Sequence, residues 1–222
     1  MKSQLRFSCF AALAMLCLML AALPASAATY SNGPPIGEID AWTINFGYVV
    51  SDTFTGLTSP GSFSFWVWEQ PGDKMLSVDW SISTSENGAP VPGGFGTANT
   101  GVNLVDSFVS YNGYGYQFDR IDVSNLGVSG LSASSTYWLN LQNAVMQSAG
   151  AVYWDENSGS GCSSPGCPSL ASENSLGTIP SESFNISDAG SGGGSTPEPG
   201  SILLFGSGAI GIAGVLRRRL LG

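Results

Sequence analysis

The chain has 222 residues, a net charge of −9, no histidine and four cysteines. Without histidine, Ser-His-Asp and Cys-His nucleophile systems are excluded, and so is the commonest side-chain ligand of transition metals. Between Ala28 and Thr196 fifteen acidic side chains oppose only Lys74 and Arg120, a surplus of thirteen negative charges that repels phosphate and excludes nucleic acid as a partner. Cations, neutral glycans and hydrated extracellular polymers stay compatible with such a surface.

Residues 1–27 have the three parts of a secretory signal peptide. Lys2 and Arg6 form a basic start, an apolar run extends from Phe7 to Leu23, and Pro24 leads into Ala25-Ser26-Ala27. A signal peptidase is expected to cleave after Ala27, with Ala25 and Ala27 as the small residues of its site. Leu16 before Cys17 departs from a bacterial lipoprotein site.

Residues 28–187 alternate with period two rather than 3.6, the pattern of half-buried antiparallel strands. "AWTINFGYVV" (Ala41 to Val50) and "SFSFWVWE" (Ser62 to Glu69) open the series. In "LSVDWSIS" Leu76, Val78, Trp80 and Ile82 are expected on one face, with Ser77, Asp79, Ser81 and Ser83 on the other. Leu104 to Ser110 follows, then "YGYQFD", which alternates Tyr114, Tyr116 and Phe118. "TYWLNLQN" points Tyr137, Leu139 and Leu141 inward and Trp138, Asn140 and Gln142 outward. Gly150 to Trp154 and Ser183 to Ile186 complete the set. Turn residues at Ser59, Gln70, Glu86 and Asn112 separate the runs. The expected fold is all-β, an antiparallel β-sandwich of jelly-roll type.

Three stretches in this region carry candidate chemistry. "GEIDAW" contains Glu38-Ile39-Asp40, the core of an acidic motif in jelly-roll glycosidases. Those enzymes place a further glutamate on the same strand face, and here Trp42, Thr43 and Ile44 stand where it would fall. "FSFWVWEQ" sets Trp66 and Trp68 on one face and Phe65 and Val67 on the other, so both faces of that strand are apolar. An exposed pair Trp66 and Trp68 would be a stacking platform for sugar rings, and a loop or neighbour covering them is the alternative. "WDENSGSG" offers Asp155, Glu156 and Asn157 as oxygen ligands for a structural calcium ion, without the alternate spacing or distal glutamate of an EF-hand. Asn185-Ile186-Ser187 matches a glycosylation sequon.

Beyond Glu156 the chain becomes rich in Ser, Gly and Pro. Cys162 and Cys167 in "GCSSPGCP" are the two cysteines left after the signal peptide. A lone C-x4-C cannot complete a tetrahedral zinc site, so in an exported chain they are expected to form a disulfide. A loop this short removes little chain entropy. Residues 188–196 read as a flexible Gly/Ser linker.

The last segment, 197–222, has three parts: Pro197-Glu198-Pro199, an uncharged apolar run from Ser201 to Leu216, and Arg217-Arg218-Arg219. As a helix the apolar run would span about 24 Å against a hydrocarbon core of about 30 Å, a short transmembrane helix. The arginines would hold its C-terminal end in the cytoplasm, leaving residues 28–187 on the far side. The prolines stop the helix from extending outward and leave an extended segment that a protease can grip.

This order resembles the PEP-CTERM sorting signal of exported proteins of Gram-negative bacteria. The resemblance implies an exosortase that cuts near Pro197-Glu198-Pro199, transient anchoring in the inner membrane, and delivery to the outer surface or an extracellular matrix containing polysaccharide. "TYWLNLQNA" followed by "VYWDENSG" also looks like domains carried by some proteins with this tail, which implies the sandwich and no catalytic group. The expectation is a non-enzymatic surface protein, structural or adhesive, with weak glycan binding and no cofactor beyond a structural calcium ion. The alternative is a carbohydrate-active enzyme of jelly-roll type whose carboxylate pair the sequence does not reveal.

Overall fold

Strands, not helices, make up the regular structure of residues 27–158 and 170–190, the parts of the chain that the computed structural model describes. They run β1 (Thr29–Ser31), β2 (Ala41–Thr43), β3 (Val49–Phe54), β4 (Pro60–Glu69), β5 (Met75–Ser83), β6 (Pro90–Asn99), β7 (Leu104–Tyr111), β8 (Gln117–Ser124), β9 (Tyr137–Met146), β10 (Tyr153–Asp155), β11 (Ala171–Glu173), β12 (Gly177–Ile179) and β13 (Phe184–Asp188). Two antiparallel sheets result. In the first, β4 is central: β8 and then β7 lie on one side of it, and β13 and β10 share its other edge, flanked by β1 and β2. The second runs β12-β11-β3-β9-β5-β6.

One core lies between the sheets. Phe63, Phe65 and Val67 of β4 and Ile121 and Val123 of β8 face Val78, Trp80 and Ile82 of β5 and Leu139 and Leu141 of β9, all buried. Phe63 meets Trp80 edge-on across the gap, with ring centroids 6.3 Å apart. Trp154 is fully buried between Phe65 and Phe184 and donates its indole N–H to the Ser183 carbonyl at 2.9 Å, so its polar atom is satisfied where its ring is dry.

Several expected strands shift for local reasons. The run Ala41 to Val50 is two strands, because Phe46 and Gly47 both adopt positive φ and turn the chain between β2 and β3. The pairing of β5 with β9 is irregular between Met75 and Asp79, so Met75 fills the core and Leu76 is exposed, against the alternation expected of it. Tyr114 and Tyr116 belong to the turn before β8, and Phe118 pairs with Trp68 on the outer face; the residues of β8 that face inward are Gln117, Asp119, Ile121 and Val123. β6, rich in proline and glycine, was not among the expected strands. Tyr137, Leu139 and Leu141 are buried as expected.

The predicted signal peptide with Ala25, the loop holding Cys162 and Cys167, and the C-terminal tail with Pro197, Glu198, Pro199 and Arg217 to Arg219 lie outside the described residues. Among the described residues no helix is long and apolar enough to cross a membrane.

Candidate functional site

The outer face of the second sheet is polar because strand alternation sends the hydroxyls and amides of β3, β5 and β9 away from the core. Register lines them up across four strands: Val49, Gln142, Asp79 and Thr97 in one row, and Ser51, Asn140, Ser81 and Phe95 in the next. Between these rows and the β5–β6 turn lies an open groove of roughly 390 Å³. Its floor is fixed. The Asn140 amide donates to Ser81 Oγ at 3.1 Å and Ser83 Oγ at 2.9 Å, and its oxygen accepts from Ser51 Oγ at 2.6 Å. Asn87, at positive φ in the turn, donates its backbone N–H to Asn140 Oδ1 at 3.2 Å and closes one wall. Asp79 accepts from Thr97 Oγ1 at 2.6 Å and from the Asn143 amide at 3.0 Å. Phe95 stands 66% exposed on the rim, and Gly96 beside it lies so close to the Trp80 ring that a Cβ there would come within 3.1 Å of it.

The outer face of the first sheet is arranged differently. Trp66 and Trp68 do share it, but only Trp66 keeps an open side, and Arg120 sits over its ring at 5.7 Å. Trp68 is 7% exposed, stacked by Tyr114 at 5.6 Å. Its indole N–H donates to Asp155 Oδ1 at 2.6 Å. The two tryptophans therefore do not form a continuous exposed strip.

Asp155 is itself fully buried and takes the backbone N–H of Ile36 at 3.0 Å and of Gly37 at 3.0 Å. Gly37 has φ +71°, and the Phe118 ring lies 3.5 Å from where its Cβ would be. Burial pushes the Asp155 carboxyl up to about 7, against the opposing pull of the Trp68, Ile36 and Gly37 donors. Both Asp155 oxygens are engaged within the fold, and beside it Asn157 donates its amide to Ser181 Oγ at 2.8 Å. Glu38 accepts from the Gly113 N–H with both oxygens at 3.0 Å, so the "GEIDAW" glutamate clasps the β1–β2 loop to the turn before β8.

A third constellation sits at the end of the core, beneath the crossover Gln70 to Lys74. Glu69 of β4, Asp119 of β8 and Asp106 of β7 each bring a carboxylate oxygen within 4.8 Å of the others. Lys74 Nζ lies 3.3 Å from Asp106 Oδ1 and 3.5 Å from Asp119 Oδ2. Burial, followed by the charges of Asp106, Asp119 and Asp73, pushes Glu69 up to about 9. Burial and the neighbouring Asp106 push Asp119 up to about 6. No stretch of sequence announces this cluster, because its members come from three strands brought side by side only by the sheet.

Comparison with known families matches residues 195–219 to the model of the PEP-CTERM protein-sorting motif. The chain carries a PEP-CTERM motif. It is thus an exported protein processed by an exosortase, as the order of Pro197-Glu198-Pro199, apolar run and arginines implies. The PEP-CTERM match is confined to the tail and says nothing about the two sheets. No curated protein and no solved structure matches the chain.

Proposed function

We propose that this chain is a surface or matrix protein of a Gram-negative bacterium whose β-sandwich, jelly-roll-like in the way its strands alternate between sheets, binds neutral glycan and has a structural or adhesive role. The observation that carries the reading is the groove on the second sheet: fixed amides and hydroxyls on its floor and an exposed Phe95 on its rim. Sugars are held by just such a pairing of an aromatic surface with hydroxyl-bonding groups. The negative surface disfavours anionic polymers and leaves neutral ones. Among the described residues the groove has one carboxylate, Asp79, already tied to Thr97 and Asn143, so the reading is binding rather than glycosidic cleavage, which uses a pair.

Affinity electrophoresis of the exported protein in gels containing neutral polysaccharides tests this. Retardation is expected, and Phe95→Ala should weaken binding about tenfold, the loss of one stacking contact of about 1–1.5 kcal/mol. Unretarded migration in every neutral polysaccharide would remove the glycan clause. Sorting has its own test, mass spectrometry of the protein recovered outside the cell. The expected C-terminus lies near Pro197 to Pro199, and changing Pro197, Glu198 and Pro199 to alanine should leave a tail that still contains Arg217 to Arg219. An intact tail on the wild-type protein would restore a permanent anchor.

A further inference from the structure

The end of the core beneath the β4–β5 crossover gathers three carboxyl groups around one ammonium. Glu69 is 0% exposed, and neither of its oxygens has a hydrogen-bond partner. Asp119 Oδ1, on an equally buried side chain, also lacks one. The other oxygens are engaged: Asp106 Oδ2 accepts from the Met75 N–H at 2.8 Å, and Asp119 Oδ2 from the Gln117 amide at 2.6 Å. Lys74 is the one cation at the cluster among the described residues and faces Asp106 and Asp119, with its side chain 43% exposed.

Three carboxylate oxygens within 4.8 Å of one another fit around one ion at the 2.3–2.6 Å of a calcium–oxygen bond, since twice 2.4 Å is 4.8 Å. The donor set is all oxygen, which selects a hard cation over zinc or copper. Two free oxygens on a single glutamate suit the bidentate ligation that calcium accepts and the strict octahedron of magnesium does not favour. We propose that Glu69, Asp106 and Asp119 form a structural calcium site, with Glu69 bidentate, water completing the shell, and the Lys74 ammonium swinging to solvent as the ion enters. The ion would tie three neighbouring strands of the first sheet together directly under the chain's passage to the second. This site is separate from the glycan groove, and its test does not depend on any sugar.

The experiment is thermal unfolding of the exported protein, stripped with EDTA, as calcium is added to 10 mM. A saturable rise in Tm of roughly 5–10 °C is expected for a dissociation constant near 0.1 mM, at the tight end for extracellular calcium modules. Glu69→Gln should abolish the rise. Because it removes a buried unpartnered carboxylate, this variant is expected to fold at least as well as the stripped wild type. Lys74→Met removes the competing ammonium and should lower the calcium concentration at half-effect severalfold, while Asp79→Asn in the groove should leave the rise intact. The site is overturned by a wild-type Tm indifferent to calcium, or by an undiminished rise in Glu69→Gln. An equal rise with magnesium at the same concentration would overturn the assignment to calcium.

Discussion

Replacing Asp155 with alanine is expected to destabilise the two-sheet domain by about 3–5 kcal/mol, because two buried donors and one part-buried donor lose their acceptor at once. The Trp68 indole N–H, at 2.6 Å, has no water to turn to under Tyr114. The Ile36 and Gly37 amides hold the β1–β2 loop over the outer face of the first sheet through the same carboxylate. A domain of this size loses about 2–4 °C of Tm per kcal/mol, so a fall of roughly 6–20 °C should appear in a thermal melt. Hydrogen exchange supplies the local readout: protection at Ile36 and Gly37 should collapse well before that of core strands such as β9. Asp155→Asn keeps one acceptor oxygen and should fall between the two. A loss under 1 kcal/mol with unchanged exchange at Ile36 and Gly37 would mean that water replaces the carboxylate without penalty.

That residue also shows what could be read from the sequence. In "WDENSGSG" Asp155 looks like a solvent-facing ligand, yet the pairing of β10 with β4 sets it under Trp68, where it serves the fold. The legible features were contiguous ones. The tail could be read whole, because Pro197-Glu198-Pro199, the apolar run and the arginines follow one another in the chain. The face assignments of β9 were also clear, since Tyr137, Leu139 and Leu141 alternate without interruption. Two kinds of feature were hidden. An irregular register moves the side chains beyond it to the other face, as at Leu76, and alternation alone carries no mark of it. Sites assembled across strands depend on register between distant segments: Phe95 joins Ser51, Asn140 and Ser81, and Glu69 joins Asp106 and Asp119, only after the sheets form. Phe95 was further obscured by a strand that reads "PVPGGFGTAN", whose composition signals a loop.

The platform reading of Trp66 and Trp68 illustrates how alternation can be right and its consequence different. Both residues do lie on the outer face of β4. What the pattern could not convey is that the turn before β8 folds Tyr114 back over Trp68, while Arg120, one of two cations among the described residues, settles on Trp66. The polar, half-open groove lined by Asp79, Asn140 and Phe95 is on the opposite sheet.

Glu182→Gln is expected to flatten the dependence of stability on pH and to stabilise the domain at neutral pH. Glu182 is fully buried, and neither carboxyl oxygen has a hydrogen-bond partner. Burial raises its pKa well above 4.5, and every charge that acts on it, from Asp52 on β3, Asp155 on β10, Glu156 and Asp40, raises it further. Among the described residues no cation is at hand, since Lys74 pairs with Asp106 and Asp119 and Arg120 with Asp122. The folded state therefore holds Glu182 neutral, while the unfolded chain ionises it above about pH 4.5. Folding takes up a proton in that range, so the stability associated with this group is fully present below pH 4.5 and declines as pH rises. The slope is about 1.4 kcal/mol per pH unit from this one residue, until the folded pKa is reached. Asp155, Asp119 and Glu69, also raised, add slopes of the same sign, so the wild type should weaken steadily from pH 5 to pH 8. Glutamine matches the neutral form in size and removes only the Glu182 part. Urea unfolding at pH 5, 6, 7 and 8 in EDTA should give two curves that nearly meet at pH 5 and diverge as pH rises, with the glutamine variant the more stable. Parallel curves would show that Glu182 is ionised in the folded protein and is balanced by a charge that burial and its acidic neighbours give no reason to expect.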